Sequence, residues 1–144
     1  MLFCAVSCVR ACQILSNYII GIDTSNYKTS ISVVSENGEV VFAKSEFIDV
    51  KNGERGLRQQ TAFFMHNNRL PEFIRESFEN IDGKVIAVAV SDAPRRLDSS
   101  YMPVFIAGLN AAKILSTVLN VPLYRFSHQE GHIEAVVHKD AYNG

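Results

Sequence analysis

The chain has 144 residues, enough for one domain around a single core, and its 47% apolar and 20% charged residues have the balance of a globular protein, not a disordered one. Its 14 Lys and Arg nearly cancel 15 Asp and Glu, so no net field draws it to nucleic acid or to an anionic membrane, and any RNA contact has to be local.

Residues 1–17 are apolar but interrupted by Arg10 and Gln13. They are too short to span a bilayer and lack the basic start of a signal peptide. Cys4, Cys8 and Cys12 fall at a spacing that aligns them on one helical face, and no cysteine follows. An odd thiol count confined to one end cannot staple a core and points to a reducing compartment, hence to a cytoplasmic location. This stretch is expected to be a poorly ordered extension, with the folded domain occupying residues 18–144.

Tyr18-Ile19-Ile20-Gly21-Ile22-Asp23 predicts a buried strand ending in an acid, and the alternation in Thr29-Ser30-Ile31-Ser32-Val33-Val34 predicts a second. Glu36-Asn37-Gly38-Glu39 contains the Asn-Gly pair that favours a tight primed turn, leading to a third strand at Val40-Val41-Phe42-Ala43. The three form an antiparallel meander. Leu57, Thr61, Phe64 and Met65 recur at helical spacing. Pro71 predicts a break or kink near Leu70, before Phe73, Ile74 and Phe78 continue an apolar face to Asp82-Gly83.

Val85-Ile86-Ala87-Val88-Ala89-Val90 is unbroken apolar sequence, as expected of an interior parallel strand covered on both faces. From Met102, the positions Phe105, Leu109, Ala112, Leu115 and Leu119 describe a second helical stripe, where Gly108 allows close packing and Asn120 ends the helix. A short strand at residues 121–124 follows. The predicted order is β-β-β-α-β-α-β-α.

The last helix starts in His128-Gln129-Glu130-Gly131-His132. Two imidazoles four residues apart stack on one helical face, where neutral rings can grip one transition-metal ion and leave positions for a third ligand and for substrate. Spacing alone leaves two readings open, metal ligands or partly exposed helix residues. It does exclude a zinc-protease box of the H-E-x-x-H type, because the residue after His128 is Gln129 and Glu130 points about 200° away around the helix.

Three stretches, Ile20-Gly21-Ile22-Asp23-Thr24-Ser25, Ala107-Gly108-Leu109-Asn110-Ala111-Ala112-Lys113-Ile114-Leu115 and residues 122–132, resemble in order those of the tRNA threonylcarbamoyladenosine synthases, also called glycoproteases or sialoglycoprotein endopeptidases. The resemblance covers the amino-terminal half of a typical member. It implies an α/β, ribonuclease-H-like fold, the first lobe of an actin-like architecture whose second lobe is absent. It also implies a transferase passing a threonylcarbamoyl group from its adenylate to an adenosine beside the tRNA anticodon. By the same resemblance His128 and His132 bind one iron or zinc ion, which acts as a Lewis acid, and the second lobe supplies an aspartate as third ligand.

Asp23, Thr24 and Ser25 match the strand and loop that face the cofactor cleft, although Asp23 equally suits a carboxylate capping the loop after its strand. The expected partners are tRNA, the adenylate and other proteins of the threonylcarbamoylation machinery, with no membrane. Two loops depart from the family pattern. Asn26-Tyr27-Lys28-Thr29 stands where Cys-Asp-Glu-Thr is usual, which removes negative charge, and Ala93-Pro94-Arg95-Arg96-Leu97-Asp98 replaces a Gly-Pro-Gly turn.

These departures keep a second reading in play, a non-catalytic paralogue or binding module that dimerises with the catalytic subunit. Arg55, Arg58, Arg69, Arg75, Arg95 and Arg96 suggest a phosphate-facing patch, but Glu54, Glu72, Glu76 and Asp98 interleave with them, and a mixed-charge surface is the reading favoured. Proteolysis is disfavoured, because no nucleophile and base are paired in the sequence.

Overall fold

Alternating burial along the first two strands shows how the sheet is built. In the computed structural model, which describes residues 16–49, 57–97, 99 and 101–134, β1 (Asn17–Ser25) buries Tyr18, Ile20, Ile22 and Thr24, and β2 (Lys28–Ser35) buries Thr29, Ile31, Val33 and Ser35. The strands β3 (Val40–Phe47), β4 (Lys84–Ala93) and β5 (Leu123–Ser127) complete a five-stranded sheet in the order β3-β2-β1-β4-β5. The meander is antiparallel, whereas β4 runs parallel to both β1 and β5. This is the expected ribonuclease-H-like arrangement. Residues 1–15, with their three cysteines, lie outside the described residues, and β1 begins one residue before the expected boundary, at Asn17.

Both long helices lie on one face of the sheet. Leu70 and Phe73 of α1 (Gln59–Glu79) and Ala107 and Ala112 of α2 (Phe105–Leu119) join Ile20, Ile22, Ile31, Val33, Val88 and Val90 in a single core. Each fully buried aliphatic side chain there contributes roughly 1.5–3 kcal/mol. Gly108 sits where α2 presses hardest on β1, since a Cβ at that position would lie 2.8 Å from the Thr24 Oγ1. Val104, at the N-cap of α2, offers no capping side chain, and polar groups from elsewhere take its place. Thr24 Oγ1 accepts from the Gly108 N–H (3.1 Å) and donates to the Val104 carbonyl (3.2 Å), while Gln59 Oε1 accepts from the Val104 N–H.

Several expectations are corrected. α1 runs through Pro71 unbroken. The carbonyl that Pro71 leaves without a donor belongs to Asn67, and both residues face solvent, so water can satisfy it while Leu70 and Phe73 hold the buried side. Thr61 and Phe64 are exposed, and the buried stripe consists of Ala62, His66, Leu70, Phe73 and Ser77.

The β2–β3 connection is not a primed turn, because Gly38 (φ 87°) has positive φ and Asn37 does not. Gly38 N–H bonds to the Ser35 carbonyl and Ser35 N–H to the Glu39 carbonyl, a three-residue loop with glycine in the left-handed position. β5 lies two residues further on than expected, and Pro122, which has no N–H, enters the ladder only through its carbonyl, bonded by Val88 N–H.

β4 is an interior strand, and among the described residues the helices that cover it lie on one face. Its pairing with β1 slips by one residue between Tyr18↔Val85 and Ile19↔Ala87, so Val85 and Val88 both turn toward the helices and Ala89 turns to the other side. That other side is a groove of about 890 Å³ across the middle of the sheet, floored by Gly21, Ser32, Ala43 and Ala89.

His66 is a buried polar group that hydropathy does not reveal. It is fully buried, and its Nδ1 lies 2.7 Å from the Thr29 Oγ1. Burial pushes this imidazole below its ordinary value. The unfolded chain therefore takes up a proton more readily than the folded one. The stability tied to neutral His66 is complete above the unfolded value near pH 6.5 and is lost as pH falls from there toward the folded value. Denaturant midpoints at pH 7.5 and 5 are expected to show this loss, and His66→Phe is expected to flatten the slope between them.

Candidate metal centre

The histidine helix, residues 128–134, is started by its own sequence. Ser127 Oγ accepts from the Glu130 N–H (3.2 Å), and Glu130 Oε2 accepts from the Ser127 N–H (2.5 Å), the reciprocal pair of a capping box. The Ser127 backbone N–H, then its hydroxyl and the Arg96 guanidinium, hold the Glu130 carboxyl below its ordinary value. The pattern Ser127-x-x-Glu130 is readable in the sequence beside the histidines.

The loop that follows β4 braces this helix. The Pro94 carbonyl accepts from the Gln129 N–H (3.1 Å), and Arg96 reaches Glu130, the Arg125 carbonyl and Asp92. Asp92 lies where the β4–β5 register shifts and its side chain is only 4% exposed, yet it is matched by Arg96 and Arg125. Elsewhere Arg75 pairs with Glu72 and Glu79, and Arg69 bonds to the carbonyls of Glu46 and Phe47. Arg69, Arg75 and Arg96 are therefore engaged within the protein, as the mixed-charge reading expects. Arg55 lies outside the described residues.

His128 and His132 come together. Their rings meet edge to face with centroids 4.3 Å apart, and the two Nε2 atoms face each other at 2.8 Å. On its other side, His128 Nδ1 lies 3.0 Å from Asp23 Oδ1, across 105 residues of sequence. A carboxylate only accepts, so Nδ1 carries the proton and the His128 Nε2 presents its lone pair toward His132.

Both Nε2 atoms therefore lie side by side, and a cation held there would take the place of their mutual hydrogen bond. The pair suits zinc or iron as two imidazole donors. Among the described residues no group of three or more His, Cys, Asp and Glu could complete a site.

The three expected cleft residues separate by strand parity. Asp23 and Ser25 line a cleft of about 590 Å³ with Tyr27, Lys28, Phe47, Met102, Phe105, His128 and His132. Thr24 does not, because as the intervening residue it points to the opposite face, fully buried and bonded into α2. The divergent turn is split in the same way. Thr29 is buried against His66, Asn26 bonds to Gln59, and the Lys28 ammonium reaches the cleft 5.5 Å from the centre of the Phe47 ring. This cleft opens onto the sheet groove, with which it shares Asp23, Lys28, Ser30, Ser91 and Gly131.

No family model matches the chain. It is 32% identical over 129 residues to the tRNA N6-adenosine threonylcarbamoyltransferase of Carboxydothermus hydrogenoformans, covering 88% of this chain and 37% of that protein. With the protein of the same name from Neorickettsia sennetsu the identity is 31% over 122 residues, covering 84% and 35%. The chain spans just over a third of the length of these curated relatives. YeaZ from Pseudomonas aeruginosa superposes with a TM-score of 0.52 at 17% identity, covering 77% of this chain and 44% of that one, a likeness of fold.

Proposed function

The chain belongs to the tRNA N6-adenosine threonylcarbamoyltransferase family, and from that premise we propose that it forms the histidine-bearing lobe of a metal-dependent enzyme transferring a threonylcarbamoyl group from its adenylate to tRNA adenosine. One observation supports the reading: the Nε2 atoms of His128 and His132 lie 2.8 Å apart in the lining of one cleft. A bound iron or zinc ion would supply Lewis acidity, polarising the carbonyl that a weak amine nucleophile must attack. The chain's own contribution is to hold that ion from one side, to wall the site with Phe105 and Met102, and to place the Lys28 charge at the mouth, where an anionic donor enters. A carboxylate from a second lobe is the third ligand, and the setting is the cytoplasm. Among the described residues no helix is long and apolar enough to cross a membrane.

The test is an assay of the full-length gene product with tRNA and threonylcarbamoyl adenylate, with the modified nucleoside measured by mass spectrometry. Product is expected from the wild type and not from His132→Ala. Equal product from both would sink the assignment.

A second reading, a non-catalytic binding module of the same machinery, draws on Ile114 and Val118. These stand one turn apart on the outer face of α2, 65% and 77% exposed. It expects a complex with a catalytic relative that Val118→Glu disrupts, and no retained metal.

A further inference from the structure

We propose that Asp23 is a positioning residue for the metal centre: its carboxylate holds the Nδ1–H of His128 so that Nε2 is presented, lone pair outward, beside His132. The proposal rests on the metal reading above and adds a role for a residue placed by the sequence only near the cleft.

The geometry separates positioning from ligation. Asp23 Oδ1 is 3.0 Å from His128 Nδ1, and the His132 Nε2 is 2.8 Å from His128 Nε2, so carboxylate and second histidine occupy opposite ends of one imidazole. A cation held between the two Nε2 atoms lies on the far side of the ring from Asp23. A carboxylate bonded to the non-coordinating nitrogen of a ligand histidine fixes its tautomer and orientation and makes it more basic.

The support is rigid. Asp23 pairs with Ser30 in the antiparallel ladder, next to Ile22, which pairs with Val90 on the other side. Phe105 contacts His128 from α2, centroids 6.3 Å apart at a tilt of 56°. Both polar partners are only partly exposed, 23% for Asp23 and 32% for His128, so water competes weakly for their bond.

Zinc titrated calorimetrically into the 144-residue chain tests this, with imidazole nitrogen NMR on the metal-free protein as a readout independent of both metal and activity. Asp23→Ala is expected to weaken zinc binding about 10- to 100-fold and to abolish the preference of His128 for the Nδ1–H tautomer. Asp23→Asn keeps an acceptor oxygen in place and is expected to retain the tautomer and most of the affinity. Wild-type affinity in Asp23→Ala, or a His128 tautomer unmoved by it, overturns the positioning role while the metal reading stands if His128→Ala still loses zinc. Undiminished zinc binding in His128→Ala overturns the metal reading itself.

Discussion

Replacing His128 with alanine is expected to abolish retention of iron or zinc, with affinity falling by more than about 100-fold. The magnitude follows from the arrangement of the site. Loss of a group that merely orients a ligand costs 10- to 100-fold, and among the described residues no third donor stands ready to replace a lost ligand. Metal content after dialysis and direct titration are the measurements, and turnover by the full-length product should disappear with the ion. Stability should fall only by about 0.5–1.5 kcal/mol, the worth of the bond to Asp23, because the helix start depends on Ser127 and Glu130 instead. A variant that keeps the ion at wild-type affinity would reduce the two histidines to a hydrogen-bonded pair on a helix.

Phe73→Ala is expected to remove about 3–5 kcal/mol of stability, seen as a lower denaturant midpoint at unchanged slope. Phe73 is 2% exposed and heads the large side chains buried between α1 and the sheet. Its ring also lies under the Lys44 ammonium, 4.6 Å from the centroid, and that ammonium is fixed 2.9 Å from Glu76 one turn along α1. Alanine leaves a cavity and takes away the face over which the cation is held. Domains of this size have only about 5–15 kcal/mol in total, so the variant should lie near the edge of folding. Phe73→Leu, which keeps most of the volume, is expected to lose less than about 1.5 kcal/mol.

The meander was open to sequence reading because Ile20, Ile22, Ile31 and Val33 alternate with smaller or polar residues, and one buried face imposes that period. β4 hid its geometry. The extra residue at Ile86 breaks the alternation, so the apolar run reads as continuous although Val85, Val88 and Val90 all join the one helix-side core. Pro71 misleads because the packing of Leu70 and Phe73 into the core outweighs the one hydrogen bond it removes, on a side of the helix where Asn67 and Pro71 are both exposed.

His66 and Ser77 are polar residues inside, held by Thr29 and the Ile74 carbonyl, which no hydropathy pattern discloses. At the site, the spacing of His128 and His132 carried over intact, as did the capping pattern beside them. The bond from Asp23 to His128 spans 105 positions and is created by the parallel placement of β4 and β5 beside β1, so a single sequence holds no sign of it.

Adjacent positions on β1 serve opposite masters: Thr24 fastens α2 while Asp23 steadies a cleft imidazole. Deleting one residue upstream of them would exchange the two. A carboxylate would be driven under a helix amid apolar neighbours, and a hydroxyl would meet His128 in its stead. Such a slip would damage scaffold and chemistry in one stroke, so the stretch tolerates a change of side chain far better than a change of length.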